Sequence, residues 1–249
     1  MTPGFDVALA LRRIAMGFWH DFAPIVGAGF VLVTLPQVAL MLAGTGSGAT
    51  VVATLGGLLR VLFVVIVSFG AGERLAGRPL DARAFVPAGF AASPRAIGAA
   101  MLLGAGGVTA LAALLVADLA AGPAAPVVRI AIGVTAFAAA ALVAPAVPLA
   151  LATRATPVGA LLTAVRLTRG RRGGIAAVLG VMALTLGPPG LIVAAMVYGP
   201  GASAAQVAAT NAASGVLSPG VWLVALVDLL RWGMAAVVPA VVFAGLPEG

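Results

Sequence analysis

Six apolar segments, each of about 20 residues or more, make up most of this chain. An α-helix of that length crosses the roughly 30 Å hydrocarbon core of a bilayer while pairing its own backbone N–H and C=O groups. Because 62% of the 249 residues are hydrophobic and only 8% are charged, a water-exposed surface cannot be built around them. The sequence predicts an all-α protein with one integral membrane domain. The predicted spans are residues 23–43, 50–69, 96–119, 127–151, 175–197 and 221–244.

Two of these spans contain prolines that are expected to distort them. Pro36 lies inside the first span and predicts a kink. The sequence Gly-Pro-Pro-Gly at 187–190 predicts a break or a sharp kink in the fifth span. Two interpretations of that break remain open: a discontinuous helix whose backbone lines a site, or a kink relieved by neighbouring helices.

A basic segment between the fourth and fifth spans predicts a short amphipathic helix on the membrane surface. Thr156 is suited to cap it, Pro157 to occupy its first turn and Gly170 to end it. Its arginines are candidate contacts for anionic lipid headgroups; they are Arg166, Arg169, Arg171 and Arg172. The alternative is that this helix docks a cytoplasmic partner protein.

Two further segments have the pattern of short interfacial helices. Residues 5–20 carry apolar side chains at helical spacing, with Trp19 as a headgroup-level anchor, although they could instead be the start of the first span. Residues 81–90 form the second candidate, which Pro87 is expected to bend or end.

The distribution of arginine predicts the orientation of the chain. Two arginines precede the first span, four lie between spans two and three, and five lie between spans four and five, whereas the other three loops have none. By the positive-inside rule both termini are cytoplasmic. The absence of lysine and the abundance of Ala, Gly, Val, Pro and Arg are typical of a GC-rich bacterial genome, which predicts the bacterial inner membrane. The N-terminus lacks the features of a cleaved signal peptide.

A shift of 78 residues hints at an internal repeat of span, interfacial helix and span. It lays the second span on the fourth and the third on the fifth. The aligned identities include Pro79 with Pro157, Ala82 with Ala160, and Ile97 with Ile175. Repeats of this kind occur in some transporters, but duplication alone does not establish transport.

Three charged residues inside the spans form the candidate polar cluster. Arg60, Asp228 and Arg231 all lie roughly 12–17 Å from the outer ends of their spans, at about 1.5 Å per residue. Because charge at this depth is costly, each should face the bundle interior and find a partner. Two hypotheses follow: a site for an anionic ligand or a coupled proton, or an internal ion pair that joins the second span to the sixth. Nearer the outer surface, Asp118 and Arg129 are expected to form a weak solvated pair.

Catalysis has little support in these residues. His20 is the single histidine and cysteine is absent, so histidine-rich and thiolate metal sites are excluded, and no Gly-x-Ser-x-Gly motif occurs. We therefore expect a non-enzymatic protein without a cofactor. The net charge of +7 comes from arginines that border spans, which predicts lipid headgroups rather than nucleic acid as the partner. A membrane-protein partner or a second copy of the chain is a further expectation.

Two stretches resemble a family of bacterial six-span proteins. The first is PAVPLAL at 145–151 followed by PVGALLTAVRLTRGRR at 157–172, and the second is FDVALALRRI with APIVGAGFVLVTLPQ near the N-terminus. The family is the integral-membrane group related to the membrane domain of glycerophosphoryl diester phosphodiesterases and to YciC-type inner-membrane proteins. The likeness covers residues 5–245. It departs from the family at Pro87 and at the final LPEG, where such proteins often end in a tyrosine-arginine stretch.

The resemblance implies topology and brings no catalytic residues. The carboxylates and histidines that a phosphodiesterase needs for its metal are absent from this chain. Two functions are compatible with the sequence. One is an inner-membrane protein that organises or regulates envelope or lipid components without catalysis. The other is a small transporter or lipid-handling carrier that uses the polar cluster, and the two differ in whether that cluster lines an open cavity or is sealed between helices.

Overall fold

A computed structural model describes residues 5–43, 47–120, 124–153 and 155–246. Across these ranges the chain forms helices and no strand. Four short helices lie outside the predicted spans: α1 (Val7–His20), α5 (Ala82–Ala92), α9 (Pro157–Leu167) and α11 (Ala204–Ser214). The remaining helices are α2 (Phe22–Gly29), α3 (Leu35–Leu42), α4 (Ser47–Leu75), α6 (Ile97–Ala120), α7 (Ala125–Val143), α8 (Ala146–Thr153), α10 (Arg172–Tyr198) and α12 (Pro219–Ala244).

Six helical segments of the described chain are long and apolar enough to cross a membrane. They are Phe22–Leu42, Ser47–Leu75, Ile97–Leu114, Pro126–Thr153, Arg172–Tyr198 and Pro219–Ala244. This confirms the all-helical class and the number of spans, and it identifies a multi-pass membrane protein. The second span is six residues longer at its C-terminal end than the sequence predicts, because the charged pair Glu73 and Arg74 continues the helix instead of ending it.

The first span is helical throughout but changes its winding ahead of Pro36. A π-helical turn, Phe30–Thr34, separates α2 from α3, and the Leu35 N–H donates to the Phe30 carbonyl five residues earlier. Proline has no N–H, and its ring conflicts with the carbonyl four residues before it. The wider turn adjusts the backbone at the position where the sequence predicts distortion.

Three other prolines, one in α5 and two in α10, interrupt their helices less than predicted. Helix α5 continues through Pro87 to Ala92, and α10 is assigned as helix through Pro188 and Pro189. The helix is therefore continuous at Gly187–Gly190, and the interpretation of this segment as a discontinuous helix is wrong. Each proline removes one N–H donor, and helices in a bundle tolerate that loss when neighbours compensate.

Helix α11 was missed by the sequence analysis. It is a short helix in the uncharged loop between the fifth and sixth spans. Ser203 and Gln206 form a reciprocal capping box at its start, in which each side chain accepts from the backbone N–H of the other residue. The Ser-x-x-Gln spacing was a local signal that could have located this helix start.

Three short helices recur at a fixed interval along the chain. Asp6, Asp81 and Thr156 are the N-cap residues of α1, α5 and α9, each 75 positions after the one before. In every case the side-chain oxygen accepts from the backbone N–H three residues later, at 2.6 to 3.1 Å. The helix that follows begins at Phe22, Ile97 and Arg172, at the same interval. The chain is thus built from three repeats, each a short helix followed by two spans.

The repeats share a burial pattern although the buried side chains differ. The fourth, eighth and twelfth residues after each cap are buried in all three short helices. These residues are Ala10, Ile14 and Phe18; Phe85, Gly89 and Ser93; and Ala160, Ala164 and Thr168. Positions four apart lie on one face of a helix, so each short helix presents the same face to the bundle.

The packing of the repeats closes into a ring. Helix α5 packs on α2 and α4 of the repeat before it, and α9 packs on α6 and α8 in the same way. Helix α1 completes the cycle by packing on α10 and α12 of the last repeat. This cyclic order gives the fold pseudo-three-fold symmetry. The predicted shift of 78 residues fits the ends of the second and fourth spans, Leu75 and Thr153, but is three residues too long for the short helices and the spans after them.

The second spans of the three repeats form the centre of the ring. Helices α4, α8 and α12 contact one another at the end of the bundle that carries α1, α5 and α9. Fully buried residues concentrate in these segments; they include Val65, Ile66, Val67, Ala146, Val147, Ala236 and Val237. Toward the opposite end the symmetry fails. Helices α4 and α12 stay packed together, whereas α7 packs mainly on α6 and α10.

Glycine at position 70 provides the close contact between α4 and α5. A Cβ there would lie 2.9 Å from Cδ2 of Phe85 and closer to other atoms of its ring, whereas a Cβ at Gly72 would meet nothing within 4 Å. Phe85 is fully buried and has no room to move. We expect Gly70→Ala to lower the free energy of unfolding by about 1–3 kcal/mol, and Gly72→Ala to leave it unchanged or raise it by up to about 1 kcal/mol. Thermal unfolding of the purified variants in mild detergent measures both, and equal stabilities would contradict the contact.

Candidate functional site

Arg60 lies in the middle of α4 and is held by three side chains from two other helices. Its Nη2 atom is 3.3 Å from Oδ2 of Asp228 on α12 and donates a hydrogen bond to Gln37 on α3. The guanidinium also lies over the ring of Trp232, 5.7 Å from its centroid, in a cation–π arrangement. The structure thus brings Arg60 and Asp228 together, as the depth of the two residues predicts.

Asp228 also faces Arg231, one turn further along α12. Its Oδ1 atom is 3.6 Å from Nη1 of Arg231, which is beyond hydrogen-bond distance. The side chains are 25% exposed for Arg60, 20% for Asp228 and 39% for Arg231. One carboxylate therefore sits between two arginines, and the cluster carries a net charge of +1.

Two donors of this cluster lack acceptors. The Nε atoms of Arg60 and Arg231 are buried and have no hydrogen-bond partner within the described part of the chain. A buried donor without an acceptor is costly, so such atoms indicate a place where water or a ligand contributes hydrogen bonds.

Two members of the cluster, Asp228 and Arg231, line a cavity of about 910 Å³ between α6, α7, α10 and α12, whereas Arg60 does not line it. Asp228, Arg231 and Trp232 form its polar part. The rest of the wall is apolar and rich in small residues; they include Leu102, Gly106, Gly107, Ala110, Ala136, Ala139, Ala140, Leu179, Met182, Ala183 and Gly187. The volume is typical of sites that bind small molecules.

The cavity has an identifiable origin in the sequence. The fourth span is interrupted by a turn at Ala144 and Pro145, between α7 and α8. Helix α8 stays in the central ring, whereas α7 leans on α6 and α10. The alanines of α7 that face inward are too small to fill the gap between it and α12.

The double-proline segment of α10 lies against the cluster, although no charged residue is near it in sequence. Gly187 lines the cavity. A Cβ at Gly190 would lie 2.9 Å from Cζ of Arg231. Helix α10 therefore approaches the Arg231 guanidinium closely, and a methyl group at position 190 would displace the end of this side chain.

The four candidate headgroup arginines lie together at the other end of the bundle. Thr156 caps α9 and Pro157 is its first residue, while Gly170 has a φ of +79° at the turn that follows, so these three features of the sequence are confirmed. Arg166 lies in the last turn of α9 and Arg172 begins α10. The exposed side chains of this group are Arg166, Arg169 and Arg172. Arg171 is partly exposed and has an interaction of its own. The structure does not bring this group to the Arg60 cluster.

A buried ion pair at the start of the first span was not predicted. In the structure Asp21 is only 4% exposed, and its carboxylate accepts two hydrogen bonds from Arg74, one of them from Nε at 2.8 Å. Nearby, Arg78 donates to Glu73 through Nε and Nη2, and this pairing raises the pKa of Arg78 above its ordinary value.

The predicted pair of Asp118 with Arg129 falls partly outside the described residues. The Asp118 side chain lies outside the described residues, as does Arg154, while Arg129 is exposed and has an interaction of its own. Within the described ranges no three His, Asp or Glu side chains converge as a metal site would require.

Comparisons with known proteins do not identify a relative of this chain, so any functional conclusion rests on the geometry described above. No protein family, no curated protein and no solved structure matches the chain. The resemblance to the six-span bacterial group stays a prediction.

Proposed function

We propose that this protein handles a lipid-like molecule in the bacterial inner membrane, holding it in the cavity between α6, α7, α10 and α12. The observation that carries the proposal is that two charged residues of the cluster, Asp228 and Arg231, line this cavity. A sealed cluster would have favoured a purely structural role. A wall that is mostly apolar, with charge at one place, fits a molecule that has an apolar tail and a polar head.

The alternative role as a non-catalytic structural or regulatory component is supported by one contact. The ion pair of Arg60 with Asp228 joins α4 to α12, which fits an internal lock between spans. The two roles are compatible, because Arg60 has three side-chain partners while Arg231 has a single long contact with Asp228.

The proposed orientation places α1, α5 and α9 on the cytoplasmic side, where their arginines meet anionic headgroups. The chain has no cysteine, so single cysteines can be introduced without a further change. We expect Thr163→Cys in α9 to react with a membrane-impermeant maleimide only after the cytoplasmic face is opened, and Thr210→Cys in α11 to react in intact spheroplasts. Both threonines are exposed, which makes them a matched pair. The reverse labelling pattern would invert the proposed topology.

Tryptophan fluorescence tests occupancy of the cavity. The chain has three tryptophans, and the variant Trp19→Phe with Trp222→Phe retains only Trp232, which lines the cavity. In non-brominated detergent we expect a brominated single-chain amphiphile to quench Trp232 saturably, because the tail would lie beside its ring. A protein that retains only Trp222, which stacks on Phe30 at the other end of α12, should show no saturable quenching.

Two neighbouring alanines of α7 provide a test that distinguishes binding in the cavity from binding on the outer surface of the helix. Ala139 lines the cavity, whereas its neighbour Ala138 is exposed and does not. We expect Ala139→Leu to raise the probe concentration that gives half-maximal quenching by at least about tenfold, and Ala138→Leu to leave it unchanged. The reason is that the larger side chain occupies space in the cavity only at position 139. Linear, unsaturable quenching in all variants would overturn the proposed function.

A further inference from the structure

We infer that the molecule bound in this cavity is a negatively charged amphiphile, with a carboxylate or a phosphate head group held by Arg231. This inference rests on the proposed function and specifies its ligand. It follows from the different states of the two arginines, from the charge of the cluster and from the shape of the wall beside it.

The two arginines of the cluster are not equivalent. Arg60 has the Asp228 carboxylate at 3.3 Å, the Gln37 amide and the Trp232 ring. Arg231 has only the same carboxylate, at the longer distance of 3.6 Å. The Nε atom of each arginine is buried without an acceptor in the described chain, so that atom does not distinguish them. Arg231 is also the more exposed of the two, at 39% against 25%, and it lines the cavity. Arg231 is therefore the arginine that retains capacity to bind a ligand.

The charge of the site selects the sign of the ligand. Asp228 balances one arginine, which leaves a single positive charge beside an apolar wall. An uncompensated cation in such surroundings is unfavourable, and an anion relieves it. The planar guanidinium can donate two parallel hydrogen bonds to a carboxylate or a phosphate, which suits both head groups.

The wall beside Arg231 accommodates a head group and a chain. Helix α10 comes close to the guanidinium at Gly190, which limits the directions from which an anion can reach it. Away from the cluster, α6 and α7 present glycine and alanine to the cavity, at Gly106, Gly107, Ala136 and Ala139. This smooth apolar surface is suited to an alkyl chain.

Four brominated probes with the same chain length test the inference on the protein that retains only Trp232. They are a fatty acid, a lysophosphatidic acid, a monoacylglycerol and an alkyltrimethylammonium salt. We expect at least one of the two anionic probes to bind at least about tenfold more tightly than the neutral and cationic ones, because a charged hydrogen bond contributes a factor of that size. The difference between the fatty acid and the lysophosphatidic acid identifies the head group.

Variants of Arg231 assign the selectivity to this residue. Arg231→Gln leaves the Arg60–Asp228 pair balanced, so we expect it to fold. It should lose the preference for anions while binding the monoacylglycerol unchanged, and Arg231→Lys should keep part of the preference. Arg129→Gln, on the outer part of α7, is the matched control and should keep all of it.

The outcomes are distinguishable. Absence of saturable quenching by any probe overturns the proposed function together with the inference. Saturable quenching with equal affinity for all four probes leaves the proposed function standing and overturns the anionic ligand. An anion preference that survives in Arg231→Gln overturns the role of Arg231. If Arg231→Gln does not fold, Gly190→Ala is used in its place, because the added methyl group would displace the Arg231 guanidinium. An undiminished anion preference in Gly190→Ala likewise overturns the role of Arg231.

Discussion

Asp228→Asn is expected to destabilise the protein by about 3–5 kcal/mol, the range for removing one partner of a buried ion pair. The carboxylate faces Arg60 at 3.3 Å and Arg231 at 3.6 Å. Its loss changes the net charge of the cluster from +1 to +2 in the middle of the bundle. Since α4 and α12 pack along each other, we expect the variant to unfold at lower temperature in mild detergent and to yield less folded protein from membranes.

A charge swap between positions 60 and 228 distinguishes a direct ion pair from a general requirement for an acidic residue at position 228. Arg60→Asp and Asp228→Arg should each be destabilising on its own, because each places like charges together. Combined, they restore an ion pair between α4 and α12, although Arg231 then lies beside a second arginine, so we expect partial recovery. Stability of the double variant no higher than that of the weaker single variant would contradict direct pairing. Arg129→Gln serves as the control, since an exposed arginine should contribute little.

The sequence predicted the spans and the short helices α1, α5 and α9 because their signals are local. Long apolar runs require helices in a membrane, and the Thr156 cap, Pro157 start and Gly170 stop of α9 and the turn after it are readable from neighbouring residues. The three-fold repeat was seen only in part. Its equivalent buried positions carry side chains as different as Ile14, Gly89 and Ala164, so the repeat is preserved in caps and burial, while identities along the chain are few.

The part of the candidate site that depends only on depth in the membrane was predictable from the sequence. Counting residues from the ends of the spans places Arg60 level with Asp228, and the ion pair between them follows. Gln37, Trp232 and Gly190 are neutral residues on three different helices, and their contacts with the arginines depend on the helix packing. The cavity could not be predicted either, because it arises where α7 departs from the three-fold arrangement.

The second large effect is expected at the junction between α1 and the first span. We expect Asp21→Ala to lower the free energy of unfolding by about 3 kcal/mol, the lower end of the range for breaking a buried pair. Asp21 is 4% exposed, whereas the side chain of its partner Arg74 is 28% exposed and regains some hydration. The pair ties the start of the first span to the end of α4. The equivalent positions are Ala96 in the second repeat and Arg171 in the third, so neither of the other junctions carries an acid at this position.

The neighbouring pair of Glu73 with Arg78 is the matched control for this effect. It lies at the same end of α4 and has similar hydrogen-bond lengths, 2.8 and 2.9 Å, but the Arg78 side chain is 67% exposed. Glu73→Gln should therefore change the thermal midpoint much less than Asp21→Ala, because solvent screens an exposed pair. In the double variant Asp21→Ala with Arg74→Leu, the uncompensated arginine is removed, and we expect stability to recover. If the double variant is as unstable as Asp21→Ala alone, the loss comes from the helix junction itself and not from the unpaired charge.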